Sequence, residues 1–163
     1  MYRIDVFIDW KMILLMSIII LIQMLLANLI IIYFEFSEYL IPVTVGAMTL
    51  TILFDARIGF MSTVVVSILV GLMMGQNIDF VITSLFISTV GVYNIRKIRK
   101  RSQLFTTMVA LIGSSIMVIV ALGLFKEQSF SKIFFDLQLL TLNSVLAPIL
   151  TYGLIGLIEM IFE

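Results

Sequence analysis

The sequence predicts an all-α protein, a polytopic transmembrane bundle of six helices with both termini in the cytoplasm. Three observations predict this class. The 163-residue chain is 62% hydrophobic and only 12% charged, and its mean hydropathy is +1.23, whereas soluble domains are roughly half apolar. The apolar residues form long blocks. Five of the ten Lys and Arg residues lie in one cluster at 96–101.

The six helices are predicted from the lengths of the apolar blocks. A spanning helix needs about 20 mostly apolar residues, and six segments meet or approach this length, at about 12–34, 39–54, 58–74, 78–93, 104–125 and 133–162. Pro42 is expected in the first turn of the second helix, where a missing N–H costs little. The sixth segment is too long for one straight span, so a break is predicted near 143–148, at Asn143, Ser144 and Pro148. The blocks lack the alternation of polar and apolar residues that a membrane β-barrel requires.

The basic residues predict the orientation of the bundle. With the 95–101 cluster inside, eight Lys and Arg residues face the cytoplasm and Lys126 and Lys132 lie outside. The opposite orientation would reverse these numbers, and basic residues concentrate on the cytoplasmic side of membrane proteins. The turns near 35–38, 75–79 and 126–132 are therefore predicted outside, and the turn at 55–57 inside.

The composition also excludes several kinds of chemistry. The chain has no Cys and no His, which rules out disulfides and His-based metal sites within it. Its net charge of zero gives no argument for a nucleic-acid partner. No phosphate-binding loop or nucleophile motif is visible, so we predict a single integral-membrane domain at 1–163 that is not an enzyme and binds no cofactor.

Polar residues within the apolar blocks are the next candidates for function. The amides of Gln23, Asn28 and Asn143 are expected to join helices, with a small ligand pocket as the alternative. Gly71 and Gly75 form a small-x-x-x-small pattern that allows close helix packing. The acidic residues are expected at helix ends or in loops, with Glu159 near the inner end of the last helix, which argues against a proton or ion pathway.

Three stretches of the sequence resemble one known family. They run from Tyr39-Leu-Ile-Pro-Val to Phe54-Asp-Ala-Arg-Ile-Gly, from Gly91-Val-Tyr-Asn through the basic cluster to Ser102-Gln-Leu, and from Leu142-Asn-Ser-Val-Leu-Ala-Pro to Glu159. Together, over about residues 39–162, they are similar to the membrane region of the seven-transmembrane HD-hydrolase receptors. These are bacterial proteins of the cytoplasmic membrane whose cytoplasmic HD domain hydrolyses cyclic di-AMP.

The resemblance implies which residues matter and which partners to expect. Residues that would face the cytoplasmic domain are Asp55, Arg57, Arg96, Arg99, Arg101, Ser102 and Glu159, and Asn143 and Pro148 match the pattern of the family's last helix. Together with Gly71 and Gly75, which are chosen for their spacing, Asn143 and Pro148 are the candidates for helix packing. The partners would be the lipid bilayer and a cytoplasmic catalytic domain, in cis or in trans, and a homodimer stays open. The family's sensor domain is not in this sequence, and its HD metal site needs His, so the chain is expected to be either an excised membrane module or a stand-alone relative.

Three functions are therefore weighed. The favoured one is a signal-coupling module that regulates the HD domain. The second is an MreD-like membrane scaffold of cell-wall elongation, which has similar length and helix number and no catalytic residues. The third is a small-molecule transport subunit.

Overall fold

The structure is a computed structural model that describes residues 10–33, 38–95 and 103–162. In this part of the chain all regular structure is helical, so the predicted fold class is confirmed. Six α-helices and one short 3₁₀ helix follow one another as α1 (Trp10–Tyr33), the 3₁₀ helix (Glu38–Leu40), α2 (Val43–Leu53), α3 (Ala56–Met73), α4 (Ile78–Ile95), α5 (Gln103–Phe125) and α6 (Phe130–Phe162). Among the described residues, five helices are long and apolar enough to cross a membrane, and α2 is shorter.

Helix α2 is the centre of the bundle. Its residues from Val43 to Thr51 are all buried, and it packs against α1, α3, α4 and α6. By contrast, only 11% of the span of α1 is buried, so this helix packs at the periphery, against α2, α3 and the 3₁₀ helix. A helix that is apolar all round is buried when it is central and faces lipid when it is peripheral.

The described residues of the three turns predicted outside lie at one end of the bundle, here called the outer end. Asn77, after α3, donates a hydrogen bond to Glu38 in the 3₁₀ helix. Lys126, after α5, pairs with Asp79 at the start of α4. The turn between α2 and α3 lies at the opposite, inner end. The described helices therefore alternate between the two ends, and the orientation that the charge count favours stays a prediction.

Two details of the prediction are corrected by the structure. The second helix does not run from 39 to 54, because Pro42 lies between the 3₁₀ helix and α2 as the N-cap residue rather than in a first turn. Proline disfavours the helical conformation of the residue before it, which separates the two pieces. The last helix has no interruption near 143–148, since α6 is helical throughout with Pro148 inside it. Pro148 is fully buried, and neighbouring helices in a membrane tolerate such a proline.

Candidate functional site

Inside the bundle, the chain changes at Ile41 and Pro42 from the 3₁₀ helix to α2. Two side-chain amides, one from α1 and one from α6, donate hydrogen bonds to carbonyl groups of this segment. Gln23 of α1 donates through Nε2 to the carbonyl oxygens of Val43 at 3.0 Å and Pro42 at 3.3 Å. Asn143 of α6 donates through Nδ2 to those of Tyr39 at 2.8 Å and Ile41 at 3.2 Å. We call Gln23 and Asn143 the amide clamp.

The amide clamp is what allows this irregular segment at membrane depth. Non-helical backbone is tolerated there only where protein buries it or where it lines a cavity. Asn143 lies well inside the 33-residue α6, roughly 20 Å along the axis from Phe130. The clamp therefore fixes a polar break in the outer half of the bundle, and it ties that break to α1 and α6.

A small cavity of about 20 Å³ adjoins the clamped segment, a volume that suits one water molecule. Residues of the 3₁₀ helix, α2, α4 and α6 line it; the polar ones are Tyr39, Thr44, Thr83, Ser84, Asn143 and Ser144. Thr83 is only 2% exposed, and its hydroxyl has no hydrogen-bond partner among the described residues. A buried hydroxyl without a partner costs free energy, so the cavity has unused capacity to bind a polar group.

Two hydroxyl pairs extend the site toward the middle of the bundle. Thr44 and Ser88 join α2 to α4 with their oxygens 3.0 Å apart. Ser115 and Ser144 join α5 to α6 at 2.6 Å. Each pair is buried, and polar contacts between membrane helices fix their register. Four helices are thus connected by polar contacts at or just below the cavity.

Charged groups from several turns lie near one another at the outer end. Burial raises the pKa of the Glu38 carboxyl above its ordinary value of 4.5, and the negative charges of Asp79 and Asp136 raise this pKa further. Lys132 and Lys126 act in the opposite direction. Desolvation favours the neutral form of a carboxyl group, so Glu38 holds its proton to a higher pH in the folded protein than in the unfolded chain.

Replacing Glu38 by glutamine is expected to stabilise the protein more at pH 7 than at pH 4. Because the pKa of Glu38 is raised by folding, the folded state binds more protons above pH 4.5, and stability falls as the pH rises through that window. Glutamine keeps a side-chain oxygen that can accept the hydrogen bond from Asn77, but it has no carboxyl group to titrate. The measurement is the melting temperature of both proteins at the two pH values, and the exposed Glu127→Gln is the matched control. A difference between Glu38→Gln and wild type that does not grow with pH contradicts the prediction.

Comparison with known proteins identifies the family. The family model described as "7TM receptor with intracellular HD hydrolase" matches residues 1–163, the whole chain. The chain belongs to this family. No curated protein matches it, and no solved structure does. The match also includes α1, which precedes the three stretches that carry the sequence resemblance.

The inner end of this receptor module carries the turn that sequence reasoning singled out. Asp55 precedes α3 as its N-cap residue and accepts a hydrogen bond from the Ala56 backbone N–H at 2.8 Å. Asp55 and Arg57 are both exposed. Arg96, Arg99, Arg101 and Ser102 lie outside the described residues, as does the side chain of Glu159, whose backbone is helical in α6.

The two glycines that were predicted to pack helices, Gly71 and Gly75, differ in how closely other atoms surround them. A Cβ atom on Gly71 would lie 2.2 Å from Cγ2 of Val81, so this glycine brings α3 close to α4. Gly75 has no atom within 4 Å of that position and a φ of +73°. The expectation that Gly75 packs helices is corrected: it serves the turn, because its positive φ suits glycine.

Sequence reasoning missed one charged residue of this site. The acidic residues were expected at helix ends or in loops, but Asp136 lies inside α6 and is only 7% exposed. The reason is that α6 begins at Phe130, three residues before the predicted start. The signal was Ser129, whose hydroxyl accepts from the Lys132 N–H at 3.4 Å, a contact typical of a residue that caps a helix start.

Proposed function

We propose that this chain couples an outer signal to the intracellular HD domain of its receptor, and that this domain is a cyclic di-AMP phosphodiesterase. The chain itself would not be catalytic, and it would lie in the cytoplasmic membrane of a bacterium. Membership of the family supports the receptor role. The lack of His in the chain supports a non-catalytic module, since an HD metal site needs His.

One observation carries the proposal: α6 connects the clamped segment to the inner end without a break. Asn143 of α6 binds the carbonyls of Tyr39 and Ile41, and the helix continues to Phe162. Further along, the Thr151 hydroxyl donates to the Ala147 carbonyl at 2.8 Å and lies 3.4 Å from the Val45 carbonyl oxygen of α2. Since a helix moves as a rigid unit, a shift of about 1–2 Å at the site would be carried to its inner end.

The inner end would receive the effector domain. Asp55 and Arg57 are exposed there, and the basic cluster that contains Arg96, Arg99 and Arg101 follows α4, with Ser102 next to it. Glu159 lies in the last turns of α6. Exposed charged groups steer and orient protein contacts more than they strengthen them, so these residues would position the HD domain.

Family membership favours the receptor over the two other functions considered. An MreD-like scaffold would co-purify with cell-wall elongation proteins. A transport subunit would be stabilised by its ligand in a thermal-shift screen, because a ligand that binds only the folded state raises the melting temperature.

Replacing Asn143 by leucine in the complete receptor is expected to change its rate of cyclic di-AMP hydrolysis by about fivefold or more, in either direction. The variant removes the contact between α6 and the clamped segment, so the two would no longer move together. Hydrolysis is measured in lipid vesicles, per folded receptor. Leu142→Ala is the matched control, since Leu142 is 50% exposed and adjacent in sequence.

An unchanged rate in Asn143→Leu, with the protein folded, contradicts coupling through α6. A second variant tests the inner contact by replacing the five basic residues at 96–101 with glutamine. Unchanged regulation of the HD domain, with the membrane topology intact, would contradict a docking role for this loop.

A further inference from the structure

Helix α1 has two different faces. Gln23 and Ala27 are buried on the face toward the bundle, and Ile20, Met24, Ile30 and Ile31 pack beside them. The opposite face carries the exposed residues Leu14, Ile18, Leu21, Leu25 and Ile32, which are between 42% and 62% exposed. With Asn28 included, these positions are separated by four and three residues in alternation. This is the heptad spacing of a helix that pairs with a second helix. We call the six residues the α1 seam.

Asn28 distinguishes the α1 seam from an ordinary lipid-facing surface. Each of the other three asparagines, Asn77, Asn94 and Asn143, donates a side-chain hydrogen bond. Among the residues that the structure describes, none forms a hydrogen bond with the Asn28 amide. Asn28 lies within the apolar span at 12–32. Lipid chains offer no hydrogen bond, and an unpaired amide in hydrocarbon is costly.

We propose that two copies of this chain pair through the α1 seam, with the two Asn28 amides hydrogen-bonded to each other. An amide has both a donor and an acceptor, so two identical amides satisfy one another across a twofold axis. All copies have the same orientation in the membrane, which brings both Asn28 residues to the same depth. A polar residue at one seam position sets the register of such pairs. The pairing does not rest on the proposed coupling role.

Disulfide cross-linking tests the α1 seam directly, because the chain has no native Cys. Leu25→Cys places a thiol in the seam, and Leu26→Cys places one on the next residue, which is also exposed, at 42%, but faces away from the seam. Facing seam positions lie close enough for a disulfide. In the full chain in phospholipid vesicles, oxidation is expected to link most of Leu25→Cys and little of Leu26→Cys. Equal linking of the two variants, or no linking of Leu25→Cys, overturns the proposal.

The role of Asn28 is tested by measuring dimer association in variants that also carry Leu25→Cys. Asn28→Leu is expected to weaken dimer association by roughly 3- to 20-fold, the range for one hydrogen bond between membrane helices. Asn28→Gln keeps the amide and is expected to retain most of the association. Circular dichroism melting shows whether each variant is folded. Unchanged association in a folded Asn28→Leu overturns the assignment of the amide to the contact between the two copies. If Asn28→Leu does not fold, the comparison of Leu25→Cys with Leu26→Cys still decides whether the seam pairs.

Discussion

Replacing Gly59 by alanine is expected to lower the free energy of unfolding by about 1–3 kcal/mol, the usual cost of overpacking a tight contact. A Cβ atom at this position would lie 2.0 Å from Oγ1 of Thr51 and 2.7 Å from the backbone oxygen of Ala47. Thr51 cannot relieve the clash by rotating alone, because the backbone of α2 is also too close. The two helices must separate, at the inner end next to Asp55.

Gly113→Ala is the matched control for this prediction. Gly113 is also inside a long helix, α5, but nothing lies within 4 Å of the position that its Cβ atom would occupy. Alanine favours a helix over glycine by up to about 1 kcal/mol, so this control is expected to be neutral or stabilising. Thermal unfolding in detergent micelles measures both variants. A Gly59→Ala protein as stable as Gly113→Ala would show that α2 and α3 do not pack as closely as the structure has them.

Replacing Gly46 by alanine is expected to displace Gln23 from the amide clamp. The added Cβ would lie 2.0 Å from Cδ of Gln23 and 2.1 Å from its Nε2. The side chain is flexible and can leave, but it then loses its bonds to Pro42 and Val43. A buried polar group left without its partner costs about 1–3 kcal/mol, and we expect a loss of stability of that size.

A double-mutant cycle separates this displacement from a general packing defect. Gln23→Ala removes the amide that Gly46→Ala would displace, so the double variant is expected to be about as stable as Gln23→Ala alone. The two effects would then be strongly non-additive, as for residues in contact. Melting temperatures of the four proteins provide the measurement. Simple addition of the two losses would contradict a direct contact between these residues.

The helices could be predicted because the hydrophobic blocks and the residues between them are local signals. For α4 the predicted start at residue 78 is the observed one. The split at Pro42 was harder, because a proline is compatible with both the first turn of a helix and the position before it. The amide clamp depends on which helices are neighbours. Gln23 and Asn143 are far apart in sequence, and no spacing rule shows that both reach the same five-residue segment.

The burial of Thr83 illustrates the same limit. The sequence is rich in Ser and Thr, and many of those that the structure describes bond to their own helix, as Thr49 does to the Val45 carbonyl at 2.7 Å. Nothing local distinguishes Thr83 from these residues. Only the arrangement of α2, α4 and α6 shows that its hydroxyl lies beside a cavity. The sequence of a helical bundle therefore predicts which types of residue are candidates for a site. It does not predict which other residues they contact.

The short central helix has a mechanical consequence. Helix α2 has 11 residues and extends about 16 Å, whereas the hydrocarbon core of a bilayer is about 30 Å thick. Because other helices surround α2, its length need not match the thickness of the membrane. The lengths of α1 and α5, with 24 and 23 residues, do match it. A thicker or thinner bilayer changes the tilt of these outer helices first. Lipid thus contacts mainly the outer helices. A change in lipid composition would act on α2 only through the contacts of α2 with those helices.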